Sequence, residues 1–231
     1  MKDKILSDLD CILVEDKNNE PHRGYVGASS IGDSCERKLW YRYQGLRDTW
    51  DADGIRRVND GHRTEATLIE HLKRIPYIKL IDRGEDGKQL GFKDFDGKYA
   101  GNLDGEIYGV PELAGDGAVF ECKAVEEKKF NALVKLKGLD ESTALRNWNM
   151  TYYAQAVTYM AYRKLKKHYM IVTTPGMRDY VSIITDANTD MAVALRDKAK
   201  RIIDAQEPPY RIGTKDWYEC KWCSFREVCH E

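Results

Sequence analysis

Between residues 77 and 124 glycine returns every few positions, at Gly84, Gly87, Gly91, Gly97, Gly101, Gly105, Gly109 and Gly117. A long helix does not survive that punctuation, because each interior glycine costs about 1 kcal/mol against alanine. The stretch must be built from short extended segments joined by turns, and the spacing predicts strands over 77–82, 89–95, 99–108 and 118–124. Helical periodicity brackets this meander. Ile55, Val58, Leu68, Ile69 and Leu72 predict a helix over 53–75 that Pro76 stops. Downstream, a helix over 142–165, strands over 168–174 and 180–184, and a helix over 188–206 follow, before Pro208 and Pro209 open a tail. Ser29, Ser30 or Asp33 is the expected cap of a helix carrying Cys35, Leu39 and Trp40. The 231 residues thus read as an α/β chain with an N-terminal arm (1–27), a central domain (28–206) and a Cys-rich tail (207–231).

Lys and Arg number 37 against 38 Asp and Glu, so binding to a polyanion has to come from local clusters of cations rather than from a global basic field. Such clusters exist at Arg56 and Arg57, at Lys128, Lys129, Lys135 and Lys137, and from Arg163 to His168. No run approaches the roughly 18 consecutive apolar residues of a spanning helix. Asp8 and Asp10 interrupt the apolar core that a signal peptide needs. No membrane association and a cytoplasmic location are therefore expected. The chain has no phosphate-binding loop of the Walker type.

One group of residues carries chemistry. Side chains alternate along a strand, so Glu121 and Lys123 share a face while Cys122 takes the other. Other acids stand two residues before a lysine in this chain, but Glu121 alone follows an apolar strand start, Ala118, Val119 and Phe120, where charge is costly to bury without a purpose. If Asp104 joins them from a neighbouring strand, two carboxylates and an ammonium converge. Carboxylate oxygens suit Mg2+ or Mn2+, and a lysine can orient an attacking water. The plainer alternative is a cross-strand ion pair on a solvated face. Glu65 on the 53–75 helix offers a further carboxylate. Tyr152, Gln155 and Tyr159 share one helix face, suited to a nucleic-acid strand or, more plainly, to an aromatic core with one satisfied amide.

In order along the chain, Gly61-x3-Glu65, Asp104, Glu121-x-Lys123 and Gln155-x3-Tyr159 resemble the successive motifs of the PD-(D/E)XK nuclease superfamily, in its RecB-like and phage-exonuclease branches. The resemblance implies a restriction-endonuclease-like mixed sheet flanked by helices. It also implies a catalytic set of Glu65, Asp104, Glu121 and Lys123, with Mg2+ or Mn2+ held by Glu65, Asp104, Glu121 and the backbone carbonyl of Cys122, and DNA contacted by Tyr152, Gln155 and Tyr159. Many RecB-like proteins carry a histidine where Glu65 stands; here His62 is one residue after the motif glycine and is only a secondary ligand candidate. The implied activity is a metal-dependent deoxyribonuclease, as an exonuclease on single-stranded DNA or duplex ends. The alternatives are a structure-specific or sequence-specific endonuclease of the same fold and a catalytically silent DNA-binding adaptor stapled by zinc. A recombination or single-strand-binding protein is the implied partner, and the cytoplasm would be the host's if the chain is phage-encoded.

Six cysteines in a chain with a cytoplasmic expectation do not suggest disulfides. Cys220-x2-Cys223-x5-Cys229 supplies three ligands of a four-thiolate site. One early cysteine, Cys35, plus this terminal triplet is similar to the arrangement in the iron-sulfur RecB-like nucleases, including the CRISPR-associated adaptation nuclease and AddB. That likeness implies a structural [4Fe-4S] cluster joining the chain ends, with Zn2+ as the alternative. Cys11 and Cys122 read as unliganded thiols.

Overall fold

The computed structural model describes residues 3–231, so the first two residues of the N-terminal arm lie outside it. The arm begins as α1 (Lys4–Asn19), capped by the Asp3 carboxylate on the Leu6 amide, and then runs without regular structure to a two-residue strand, β1 (Val26–Gly27). Next comes α2 (Glu36–Tyr43). Its cap is Cys35 itself, whose sulfur accepts from the Lys38 amide, whereas the expected Asp33 sits two residues back and accepts from the Cys35 amide. The following helix, α3 (Ala52–Lys73), matches its predicted span closely and buries Ile55, Leu68 and Leu72.

The glycine-rich stretch forms short strands, as expected, but not in one sheet. β2 (Lys79–Ile81), β3 (Gly91–Asp94), β4 (Tyr99–Asn102), β5 (Gly105–Tyr108) and β6 (Ala118–Ala124) are its members. The single strand expected over 99–108 is two strands, separated by Leu103 and Asp104. β4 belongs to a three-stranded sheet ordered β1-β4-β3, while β5 belongs to a five-stranded sheet ordered β2-β5-β6-β7-β8, completed by β7 (Lys167–Thr173) and β8 (Tyr180–Asp186). The Leu103 amide and carbonyl bond to the Leu90 carbonyl and the Gln89 side chain instead of a strand partner, and so the ladder breaks there. In the larger sheet β6 and β7 are parallel and the other pairs antiparallel.

The long helix expected over 142–165 is also divided. α5 (Glu141–Trp148) ends at Asn149, whose extended backbone and side chain, accepting from the Tyr152 amide at 3.0 Å, start α6 (Met150–Arg163) afresh. Before them lies a helix the sequence reading did not anticipate, α4 (Glu127–Leu139), which presents Phe130 and Leu133 to the core. α7 (Thr189–Asp204) follows β8. The tail adds two short turns, α8 (Tyr218–Lys221) and α9 (Arg226–His230). No helix among the described residues is long and apolar enough to cross a membrane.

The larger sheet separates two apolar layers. One face, with Phe120, Cys122 and Ile171, packs on Leu68 and Leu72 of α3. The other, with Val119, Met170 and Val172, packs on α6 and α7 through Val157, Met160 and Leu195. α6 lies tightly against the N-terminal segment: a Cβ on Gly32 would stand 2.6 Å from the Thr151 Cα and 2.8 Å from the Ala154 Cβ, so only glycine permits this approach.

His168 on β7 is fully buried in this second layer, and neither ring nitrogen has a hydrogen-bond partner. Burial, and then the Lys123 charge, depress its pKa from 6.5 to about 3. Neutral imidazole is therefore part of the native core, whereas the unfolded chain takes up a proton below pH 6.5. Stability from this residue is present above pH 6.5 and is lost as the pH falls toward 3, by about 1.4 kcal/mol per unit. We expect His168→Leu to gain on the wild type by that slope in denaturant titrations at successively lower pH; parallel curves would contradict the assignment.

Candidate active site

β6 carries the site because its register is fixed twice over. Parallel pairing places Glu121 beside Met170 and Lys123 beside Val172 of β7, and antiparallel pairing places Phe120 opposite Gly105 of β5. One step beyond that last pair, Asp104 stands opposite Glu121. Its Oδ2 accepts from the Cys122 amide at 2.7 Å, in place of a ladder bond. The Lys123 Nζ is 2.7 Å from the Glu121 Oε2 and 3.9 Å from the Asp104 Oδ2. Glu121 is 1 % exposed and Asp104 6 %.

The helices complete the cluster from two sides. From α6, the Gln155 Nε2 donates to the Glu121 Oε2 at 3.2 Å and lies 3.5 Å from the Tyr159 hydroxyl, which itself donates to the Asn102 carbonyl at 2.6 Å. From α3, Glu65 lines one cleft together with Asp104, Gln89, Lys73 and Arg83. The second Glu121 oxygen, Oε1, is buried and has no partner.

The electrostatics follow from three carboxylates facing one ammonium in a poorly solvated place. Burial, and then the Asp104 charge, raise the Glu121 pKa to about 8. The same two causes raise Glu65 to about 7. Burial disfavours the Lys123 ammonium, but Glu121 and Asp104 outweigh it and hold the lysine charged. A buried carboxylate oxygen without a partner, flanked by further carboxylates, fits a hard cation such as Mg2+ or Mn2+, which prefers oxygen donors. Among the described residues no three His, Cys, Asp or Glu side chains are drawn in tightly enough to clamp an ion as they stand.

The structure thus brings Glu65, Asp104, Glu121, Lys123 and Gln155 together. His62 is exposed and opens on a different groove, beside Trp50 and Arg42. Cys122 points its thiol to the opposite apolar layer, where burial lifts the pKa to about 12, and it meets the site through its amide. Gln155 and Tyr159 are buried beneath the carboxylates. Tyr152 is half-buried, its ring 5.8 Å from the Lys123 Nζ. Gln89 went unnoticed in the sequence; it anchors the Leu103 carbonyl, and a lone glutamine at a strand start gives no local signal of that.

At the N-terminal end of α2, Cys35, Cys220, Cys223 and Cys229 line one small cavity. The tail reaches it by lying along α2. The Trp40 Nε1 donates to the Ala205 carbonyl at 2.9 Å, at the end of α7 just before the tail, and within the tail the Arg37 Nη1 donates to the Pro209 carbonyl at 3.0 Å and the Tyr41 and Phe225 rings are 5.6 Å apart. Burial raises the Cys35 thiol pKa.

Among solved structures the chain superposes on SSO0001 over 99 % of its own length and 98 % of the other, with a TM-score of 0.52 and 18 % identity. It matches the alkaline exonuclease LHK-Exo of Laribacter hongkongensis over 79 % and 87 %, with a TM-score of 0.53 and 13 % identity; that protein has also been crystallised with dAMP. The fold is restriction-endonuclease-like. A phage-related exonuclease of Haemophilus somnus 129PT agrees over 80 % of this chain and 94 % of its own, with a TM-score of 0.53 and 12 % identity. No family model matches the sequence, and no curated protein matches it.

The crowding of carboxylates has a measurable cost. A Glu121 pKa raised from 4.5 to about 8 means that its contribution to stability is full below pH 4.5 and is lost as the pH rises through 8. We expect Glu121→Gln to unfold later than the wild type without added divalent cation at pH 8, by about 1–2 kcal/mol, as relieved active-site strain often does, and the gain to shrink on acidification. An equal or lower melting temperature at pH 8 would refute the repulsion.

Proposed function

We propose that the chain is a metal-dependent deoxyribonuclease that hydrolyses DNA phosphodiester bonds and acts as an exonuclease in recombination, repair or end processing. The observation that carries the reading is the buried, partnerless Glu121 Oε1 beside Asp104 and the Lys123 ammonium. The shared fold with two exonucleases supports it.

Glu121, Asp104 and Glu65 would hold Mg2+ or Mn2+, with the Cys122 carbonyl as a further oxygen. When bound, the ion would lower the pKa of water and offset charge on the scissile phosphate. The chain's own residues account for the rest. The Cys122 amide fixes the Asp104 carboxylate, and Gln155 with Lys123 fixes the Glu121 Oε2 so that Oε1 is turned away from both. The Lys123 ammonium, kept charged by its neighbours, would orient the attacking water and donate a hydrogen bond to a phosphate oxygen as charge develops. Lys73 and Arg83 in the cleft would receive the DNA backbone, since phosphate neutralisation needs only local cations. Tyr152, beside Lys123, would contact the strand. Gln155 and Tyr159 serve the site from below.

The four cysteines lining one cavity support a [4Fe-4S] cluster there, with Zn2+ as the alternative, because thiolates suit both. A crosslink would close the long loop between Cys35 and Cys220 and hold a tail that buries little beyond Phe225. Domain limits at 28–206 and 207–231, with the tail packed on α2 through Cys35, belong to the same reading.

The test is digestion of duplex and single-stranded DNA labelled at either end, with Mg2+ or Mn2+, beside covalently closed circles. Release from ends with circles intact is expected. Cut circles would make the enzyme an endonuclease, and binding without cleavage would make it an adaptor. Asp104→Ala, Glu121→Ala and Lys123→Ala should each lower the rate about 100-fold or more; wild-type rates in Glu121→Ala would refute the site. Protein purified without oxygen should be brown, and Ser at Cys35, Cys220, Cys223 or Cys229 should bleach it while Cys11→Ser does not. Colourless protein with stoichiometric zinc would replace the cluster and leave the nuclease reading intact.

A further inference from the structure

The four-cysteine cavity contains one polar group that thiolate ligation leaves unexplained. His230, the residue after Cys229, lines it, and the His230 Nε2 is buried without a partner. A buried ring nitrogen left unpaired is costly, and native structures almost always supply it with something. The neighbours narrow the choice. Three of the remaining lining side chains, Lys38, Arg211 and Arg226, are cations that only donate, and each is engaged elsewhere: with the Asp33 carboxylate at 2.7 Å, the Cys229 carbonyl at 2.6 Å and the Lys215 carbonyl at 3.2 Å. The Tyr41 hydroxyl accepts from the Arg37 Nε at 3.1 Å. Ile212 and Phe225 are apolar. Among the lining side chains that leaves the cysteine sulfurs, which share the cavity with the imidazole and become strong acceptors once they are thiolates on a metal.

We propose that His230 donates its Nε2–H to a ligating sulfur and so retains the metal in the four-cysteine site without being a ligand itself. The inference rests on the reading that these cysteines bind a metal. Withdrawing charge from a thiolate through a hydrogen bond stabilises an anionic thiolate complex in a low-dielectric cavity. Partners of this kind that orient or polarise ligands are worth about 10- to 100-fold in metal retention. The Lys38 amide bond to the Cys35 sulfur at 3.4 Å is a second donor of the same kind. The surrounding cations further favour the negative charge of a tetrathiolate site.

The experiment uses the full chain, purified without oxygen, as wild type, His230→Leu and His230→Gln, the last keeping an N–H donor near the ε position. Iron, sulfide and zinc are quantified, and release is then followed during challenge with excess EDTA, by absorbance for iron and by a zinc-responsive dye for zinc. We expect equal metal content in all three, release about tenfold or more faster in His230→Leu, and wild-type release in His230→Gln. Wild-type release in His230→Leu overturns the proposal. So does a His230→Gln protein as leaky as His230→Leu, which would make the ring a filler, and so does a folded His230→Leu chain without metal, which would make it a ligand. A wild type with neither iron nor zinc would instead defeat the four-cysteine reading and the inference with it.

Discussion

The ammonium of Lys123 is the charge on which the rest of the arrangement depends. Three carboxylates from three separate parts of the chain face the same poorly solvated spot, and without a cation among them mutual repulsion and desolvation would drive them apart or neutral. One lysine cannot balance all three, and the raised pKa values of Glu121 and Glu65 record the deficit. The surrounding fold supplies the rigidity that keeps the cluster assembled: β6 is paired on both sides, α6 holds Glu121 through Gln155, and the Cys122 amide holds Asp104. The same deficit is what a divalent cation would relieve.

Much of this was legible in the sequence because it depends on local pattern. β6 declares itself by three apolar residues before a charged pair, and α3 by its apolar spacing and the proline beyond it; both have nearly the limits expected. What escaped was set by distant partners. Nothing local in Tyr99 to Tyr108 shows that Gln89 and Leu90 will bind Leu103 and end one sheet where another begins. Asn149 divides the expected helix because its side chain caps the next one more favourably than its backbone continues the last. α4 was hidden by its lysines, since only Phe130 and Leu133 of that helix are buried.

The candidate site was legible as a set of residues and less so as a set of places. Gln155 and Tyr159 share a helix face, as their spacing requires, but that face is buried. A polar residue on a helix can read as a surface contact or as a support for a charged neighbour, and only the position of Glu121 decides between them. His62, a secondary ligand candidate, opens on a different groove, since adjacency to the motif glycine does not bring it to the carboxylates. The tail illustrates a third case: spacing grouped Cys220, Cys223 and Cys229, while the Arg37 hydrogen bond that lays the tail on α2 involves a residue with no spacing signal at all.

Asp104 occupies the two-residue span where the chain leaves one sheet and enters the other, and α6 grips both banks of that crossing, Glu121 through Gln155 and the Asn102 carbonyl through Tyr159. The crossing has no slack. Side chains here differ in direction from one position to the next, so inserting or deleting a single residue would turn the carboxylate away from Glu121 even if every strand refolded. Extra residues in the exposed connection at 85–88 can be taken up by the turn, but changes of length at 103–104 cannot. Divergence in this fold should therefore accumulate as substitutions and loop insertions elsewhere while the interval from β4 to β5 keeps its length.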